Sequence, residues 1–74
     1  MDYRLVSYTN SKMAWLIEEY VHSERDRAIL SRRYLDGITQ DAIANELKMS
    51  KRQIQYIDSR FQKSVIIPNI EKLR

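Results

Sequence analysis

Between Thr39 and Ser59 the aliphatic side chains fall at Ile43, Leu47, Met49, Ile54 and Ile57. Ile43 and Leu47 are one helical turn apart, as are Ile54 and Ile57, so each pair marks one buried helix face. Only Lys48 and Met49 separate Leu47 from Ser50, and serine is a preferred residue at a helix start. Two short helices joined by a tight turn satisfy this spacing, and the small Ala44 lets them cross closely. The pattern is that of a helix-turn-helix. The second helix then presents Lys51, Arg52, Gln55, Tyr56 and Ser59 opposite Ile54 and Ile57. Such side chains can reach phosphates and base edges in a major groove.

The rest of the composition narrows the fold. A chain of 74 residues makes one domain, 1–74. It divides into supporting helices over 10–35, the motif over 39–59 and a C-terminal tail over 67–74. A domain this small buries only about 60% of its unfolded surface. With no cysteine, neither a disulfide nor a thiolate metal site can staple it. Glycine and proline occur once each, which favours a few helices with short connections over strands and hairpins. The expected architecture is an all-α, four-helix domain with no winged sheet. No apolar run approaches the ~20 residues of a membrane span, and no basic-then-apolar signal pattern opens the chain. A cytoplasmic protein is expected.

Charge is unevenly placed. Residues 1–24 sum to −2 and residues 25–47 to zero, while 48–74 sum to +5. Positive charge therefore sits on and after the second helix of the motif. A basic face on one element is the electrostatic footprint of a nucleic-acid binder; an ordinary solvated helix face is the plainer reading.

Along the chain, Tyr3, Leu5, Val6 and Tyr8 fit either a short helix or an extended arm. Asn10 reads as the cap of a helix to about Val21, with Met13, Leu16, Ile17, Tyr20 and Val21 as its apolar stripe and Trp15 at the edge. Ser23 and Asp26 form a capping-box-like start for the next helix. Ala28, Ile29, Leu30, Tyr34 and Leu35 face its core, and Arg25, Arg27, Arg32 and Arg33 face outward. Gly37 falls where a left-handed residue closes that helix. Thr39 caps the third helix, Gln40 to Leu47. Ser50 and Gln53 make a capping box for the fourth. Its apolar line runs through Ile54, Ile57, Phe61 and Val65 until Pro68 forces an end near Ile66. A short turn of helix is expected over 69–74.

Tyr34-Leu-Asp-Gly-Ile-Thr-Gln-Asp-Ala-Ile-Ala-Asn-Glu-Leu-Lys-Met-Ser-Lys-Arg-Gln-Ile54 resembles the helix-turn-helix of the fourth conserved region of bacterial sigma factors. It is also similar to small sigma-like regulators of phages and mobile elements in Gram-positive bacteria. Arg27-Ala-Ile-Leu-Ser-Arg-Arg-Tyr-Leu35 matches the helix that precedes the motif there. The resemblance covers residues 24–65. It implies that the motif's second helix enters a major groove near a promoter. Ser50, Lys51, Arg52, Gln55, Tyr56 and Ser59 fall on its groove-facing positions. Thr39 and Gln40 fall where the first helix touches backbone phosphates. The family turn usually carries glycine where this chain has Lys48, so Lys48 is expected to take positive φ. No other sigma region is present, so contact with a promoter at two elements is not expected.

Double-stranded DNA is the expected partner and transcription regulation the expected role. Arg52, Gln55, Tyr56 and Ser59 would read bases, arginine suiting guanine and glutamine adenine. Thr39, Gln40, Ser50, Lys51, Arg60 and Lys63 would hold the backbone. The rival reading is a protein-interaction module docking on RNA polymerase or another regulator through the apolar line from Ile54 to Ile70. The tail has two readings as well. It closes the core against the N-terminal helix, or Phe61, Val65, Ile66, Ile67 and Ile70 form a homodimer seam. No Ser-His-Asp set, Gly-rich phosphate loop or metal set occurs, so neither an enzyme nor a cofactor is expected. His22, the only histidine, reads as a hinge or cap residue. Glu18 and Glu19, adjacent on a helix, do not face each other and read as a solvated face.

Overall fold

A computed structural model describes residues 10–73, with α1 at Asn10–Tyr20, α2 at Glu24–Tyr34, α3 at Gln40–Leu47, α4 at Lys51–Phe61 and a four-residue α5 at Ile70–Leu73. No strand occurs among the described residues. The expectations for Tyr3, Leu5, Val6 and Tyr8 lie outside them. Asn10 is itself the first helical residue, one position inside the expected cap.

Capping sets the starts of the three helices that matter for the site. Ser23 Oγ accepts from Asp26 N at 3.3 Å, and Thr39 Oγ1 accepts from Ala42 N at 3.2 Å. At Ser50 the capping box is complete: its Oγ accepts from Gln53 N at 3.1 Å, and its N–H donates to Gln53 Oε1 at 3.1 Å. Each bond satisfies an amide that the first helical turn leaves free. The turns close through left-handed residues. Gly37 has φ +70°, and Lys48 has φ 56° and ψ 41°. The non-glycine Lys48 takes the conformation expected of it, and Met49 N then donates to Ala44 O at 2.9 Å.

Met13, Leu16 and Ile17 of α1, Ile29, Leu30 and Tyr34 of α2, Ile43 and Ala44 of α3 and Ile54, Ile57 and Phe61 of α4 share one core. Tyr20 is 43% exposed instead of completing the α1 stripe, and Trp15 meets it edge-on with ring centroids 6.4 Å apart. The α2 arginines are not a free outward row. Arg27 donates to the carbonyls of Val21 and Glu18, tying α2 to the end of α1. Arg32 pairs with Glu46 of α3 at 3.0 Å, and Arg33 turns toward α4.

The C-terminal part departs most from expectation. The α-helical ladder of α4 stops at Phe61 and widens into a π-helical stretch, Gln62–Ile66. Ile67 keeps helical dihedrals of −61° and −49° although it precedes Pro68. Its N–H donates to Gln62 O, one residue further back than in an α-helix, at 2.9 Å. Pro68 has no amide to continue the ladder. Asn69, 8% exposed, takes over: its backbone N–H reaches Val65 O at 3.2 Å and Ile66 O at 3.1 Å, and its Nδ2 donates to Val65 O at 2.8 Å. The extra residue in the π turn rotates the chain so that Val65, Ile66 and Ile70 all point inward. Phe61, Val65, Ile66 and Ile70 are thus buried within the chain, and of the residues assigned to a dimer seam only Ile67, 41% exposed, remains outside. The core-closing reading of the tail holds.

Candidate nucleic-acid interface

Two helices build the interface. Ile43 at 0% and Ala44 at 6% exposure seat α3 against the core, while Ile54 at 0% and Ile57 at 8% seat α4. Because α4 is anchored by that stripe, Lys51, Arg52, Gln55 and Tyr56 point to solvent, with Tyr56 66% exposed. Ser59 is half-buried at the edge of this face, and Arg60 and Lys63 are exposed beyond it. Neither Arg52, Gln55, Tyr56, Arg60 nor Lys63 is engaged by another side chain among the described residues.

The residues expected on the backbone divide. Thr39 and Ser50 are exposed, and their hydroxyls accept the capping bonds already described. Lys51 Nζ lies 3.3 Å from Asp41 Oδ1 on α3. Both partners are exposed, so this pair is weak and open to exchange for a phosphate. Gln40 is turned inward: its Nε2 donates to Asp58 Oδ2 at 2.7 Å.

Asp58 was not singled out by the sequence. It is 1% exposed on α4. Tyr34 Oη donates to its Oδ1, and Gln62 Nε2 reaches the same oxygen at 3.2 Å. Arg33 Nε stands 3.5 Å from Oδ2 as a charge partner, misaligned for a hydrogen bond. The signal was in the spacing: Ile54, Asp58, Phe61 and Val65 follow one another at four, three and four residues, so a carboxylate stands inside an apolar stripe.

A cleft of about 660 Å³ opens between the α1–α2 connection and α4, with Tyr20 and Arg25 on one wall and Arg52, Tyr56 and Arg60 on the other. It also brings the Arg25–Asp26 pair of α2, with Nε 3.1 Å from Oδ1, to the edge of the α4 face. Among the described residues, no group of three His, Cys, Asp or Glu side chains gathers as a metal site would, and no helix is long and apolar enough to cross a membrane.

A helix-turn-helix with capped helices, a left-handed turn and an exposed polar face on its second helix is one half of an identification. The other half is a match of residues 23–60, just over half the chain, to the family described as sigma-70, region 4. The chain belongs to the sigma-70 region 4 family. No curated protein and no solved structure matches it. The match spans α2, α3 and nearly all of α4, so the family's helix-turn-helix and its implied DNA binding rest on the elements that form the exposed face.

Proposed function

We propose that this sigma-70 region 4 chain binds double-stranded DNA sequence-specifically, with α4 in the major groove, and regulates transcription from the cytoplasm. The observation that carries the reading is the row of unengaged side chains Arg52, Gln55 and Tyr56 on a helix whose opposite face is buried. Arginine can span guanine O6 and N7, and glutamine can span adenine N6 and N7. Lys51, Arg60 and Lys63 flank the row and would hold phosphates, setting register without reading sequence. Arg25, across the cleft, would add one more backbone contact by exchanging its exposed pair with Asp26 for a phosphate.

The rival docking reading needed an exposed apolar line from Ile54 to Ile70. Six of that line's residues, Ile54, Ile57, Phe61, Val65, Ile66 and Ile70, are buried in the chain's own core. Nothing favours it over DNA.

Selection of bound sequences from a random duplex pool tests the proposal. A recurrent motif a few base pairs long supports it. Recovery of an unenriched pool, or no retention at low salt, would overturn it.

A further inference from the structure

We propose that Asp58 is a positioning residue for DNA reading: its carboxylate fixes the rotation of α4 about its own axis, and so decides where Arg52 and Gln55 point. The proposal rests on the DNA-reading function above and adds what sets its accuracy.

Four side chains converge on this one carboxylate, with directed bonds from two other helices through Tyr34 and Gln40. Arg33 and Tyr34 come from α2, Gln40 opens α3, and Gln62 follows α4. Apolar packing alone holds a short helix loosely in rotation, because contacts between aliphatic groups have no preferred direction. Hydrogen bonds do: donor alignment is favoured above about 150° and weakens steeply below ~120°. At the ~5–6 Å outer radius of a helix, a rotation of about 20° displaces a side-chain tip by about 2 Å. That is enough to break a hydrogen bond to a base edge while leaving Ile54 and Ile57 in the core.

The placement suits this role. Gln55 and Asp58 are three residues apart, so their directions differ by about 60° around the helix. The lock therefore sits beside the reading face rather than behind it. Lys51, seven residues before Asp58, lies on the same line of α4 and is held by Asp41, the neighbour of Gln40. Of these two contacts only the buried Gln40–Asp58 bond is held away from solvent. A burial of charge on this scale is a poor source of stability, since an apolar group of similar size packs there at no greater cost. Directional fixing is what an aliphatic residue cannot supply.

The test separates stability from positioning. The double variant Tyr34→Phe with Asp58→Leu replaces the lock by apolar packing, and Asp58→Asn keeps its shape, since the Gln40 and Gln62 amides can turn to offer a carbonyl. Melting temperature, affinity for a selected site against its single-base variants, and amide NMR of α4 without DNA are measured for each. The double variant takes the anion away from Arg33, Gln40 and Gln62, so it is expected to melt below the parent, and binding and spectra are compared at a temperature where both are folded. It should lose about tenfold in discrimination per base pair read, and show broadened or doubled α4 amide signals from exchange between orientations. Asp58→Asn should recover most of both. A double variant that discriminates like the parent and gives one sharp set of α4 signals overturns the proposal. Should the double variant not fold, Tyr34→Phe alone decides: it removes one directed bond to Asp58 and keeps the ring in the core, and the parent's discrimination with sharp α4 signals in that variant reduces Asp58 to a stabilising residue. A parent chain that discriminates no sequence would defeat the proposed function instead, and the DNA-free spectra would still decide whether Asp58 locks α4.

Discussion

Gln40 Nε2 donates to Asp58 Oδ2 at 2.7 Å, so the first residue of α3 holds the middle of α4 from inside the fold. The family position would give Gln40 to a backbone phosphate. Here its amide donor is committed to a carboxylate that is 1% exposed. Removing a partner from a buried charged acceptor costs more than the bond itself contributes, because the acceptor keeps its desolvation cost.

Gln40→Ala should accordingly destabilise the fold by about 1–3 kcal/mol, read as a lower urea midpoint. Gln40→Glu is the sharper variant. An acidic residue in a first turn is ordinarily favourable, yet at this position it would set carboxylate against carboxylate. Glu should be worse than Ala. If Glu equals or exceeds the parent in stability, Gln40 does not bear on Asp58 in solution.

Much of this architecture is legible in the sequence because its signals are local. Thr39, Ser50 and Gln53 cap helices through neighbours three residues away, and spacing places the turn at Lys48 and Met49, while the left-handed conformation of Lys48 itself is implied by the family resemblance. The α4 face follows from the spacing of Ile54 and Ile57 alone. What escapes is non-local. Arg33, Tyr34, Gln40, Asp58 and Gln62 come together only once α2, α3 and α4 have packed. No spacing rule pairs Tyr34 with a carboxylate twenty-four residues on. The π stretch escapes for a related reason. Pro68 announces an end to the ladder, but the core's demand for Val65, Ile66 and Ile70 decides that the helix widens rather than stops.

The two left-handed residues should respond differently to substitution. Lys48→Gly removes the Cβ strain of φ 56° and adds entropy to the unfolded chain, two effects of similar size. Its melting temperature should stay at or above that of the parent. Gly37→Ala meets nothing within 4 Å of its new Cβ, so its cost is backbone strain alone at φ +70°, roughly 1–2 kcal/mol. A clear loss of melting temperature in Lys48→Gly would mean that the turn is built differently.

Binding should be steeply salt-sensitive. With about four phosphates neutralised, log affinity should fall with log salt at a slope near −3.6. Asp41 partly shields Lys51 at 3.3 Å. Asp41→Asn should therefore strengthen binding to every duplex alike, with little change in stability because the pair is exposed. A flat salt response in fluorescence anisotropy would take DNA out of the reading; unchanged affinity in Asp41→Asn would take Lys51 off the phosphate.

Reading and holding should separate by residue. Arg52 and Gln55 are exposed, three residues apart on α4, and outside the core. Arg52→Ala and Gln55→Ala should leave the fold intact. Each should relax specificity at one or two base pairs by about 1–3 kcal/mol. Lys63 lies beyond Phe61 in the π stretch, exposed and past the end of the reading face. Lys63→Ala should weaken all sequences by a similar factor and lower the salt slope by about one, because a phosphate contact carries no sequence information. Competition binding against single-base variants of a selected site measures all three. Should the Arg52 and Gln55 variants keep the parent's full discrimination, α4 is not the reader, and the basic cleft walled by Arg25 and Arg60 becomes the surface where DNA must be sought.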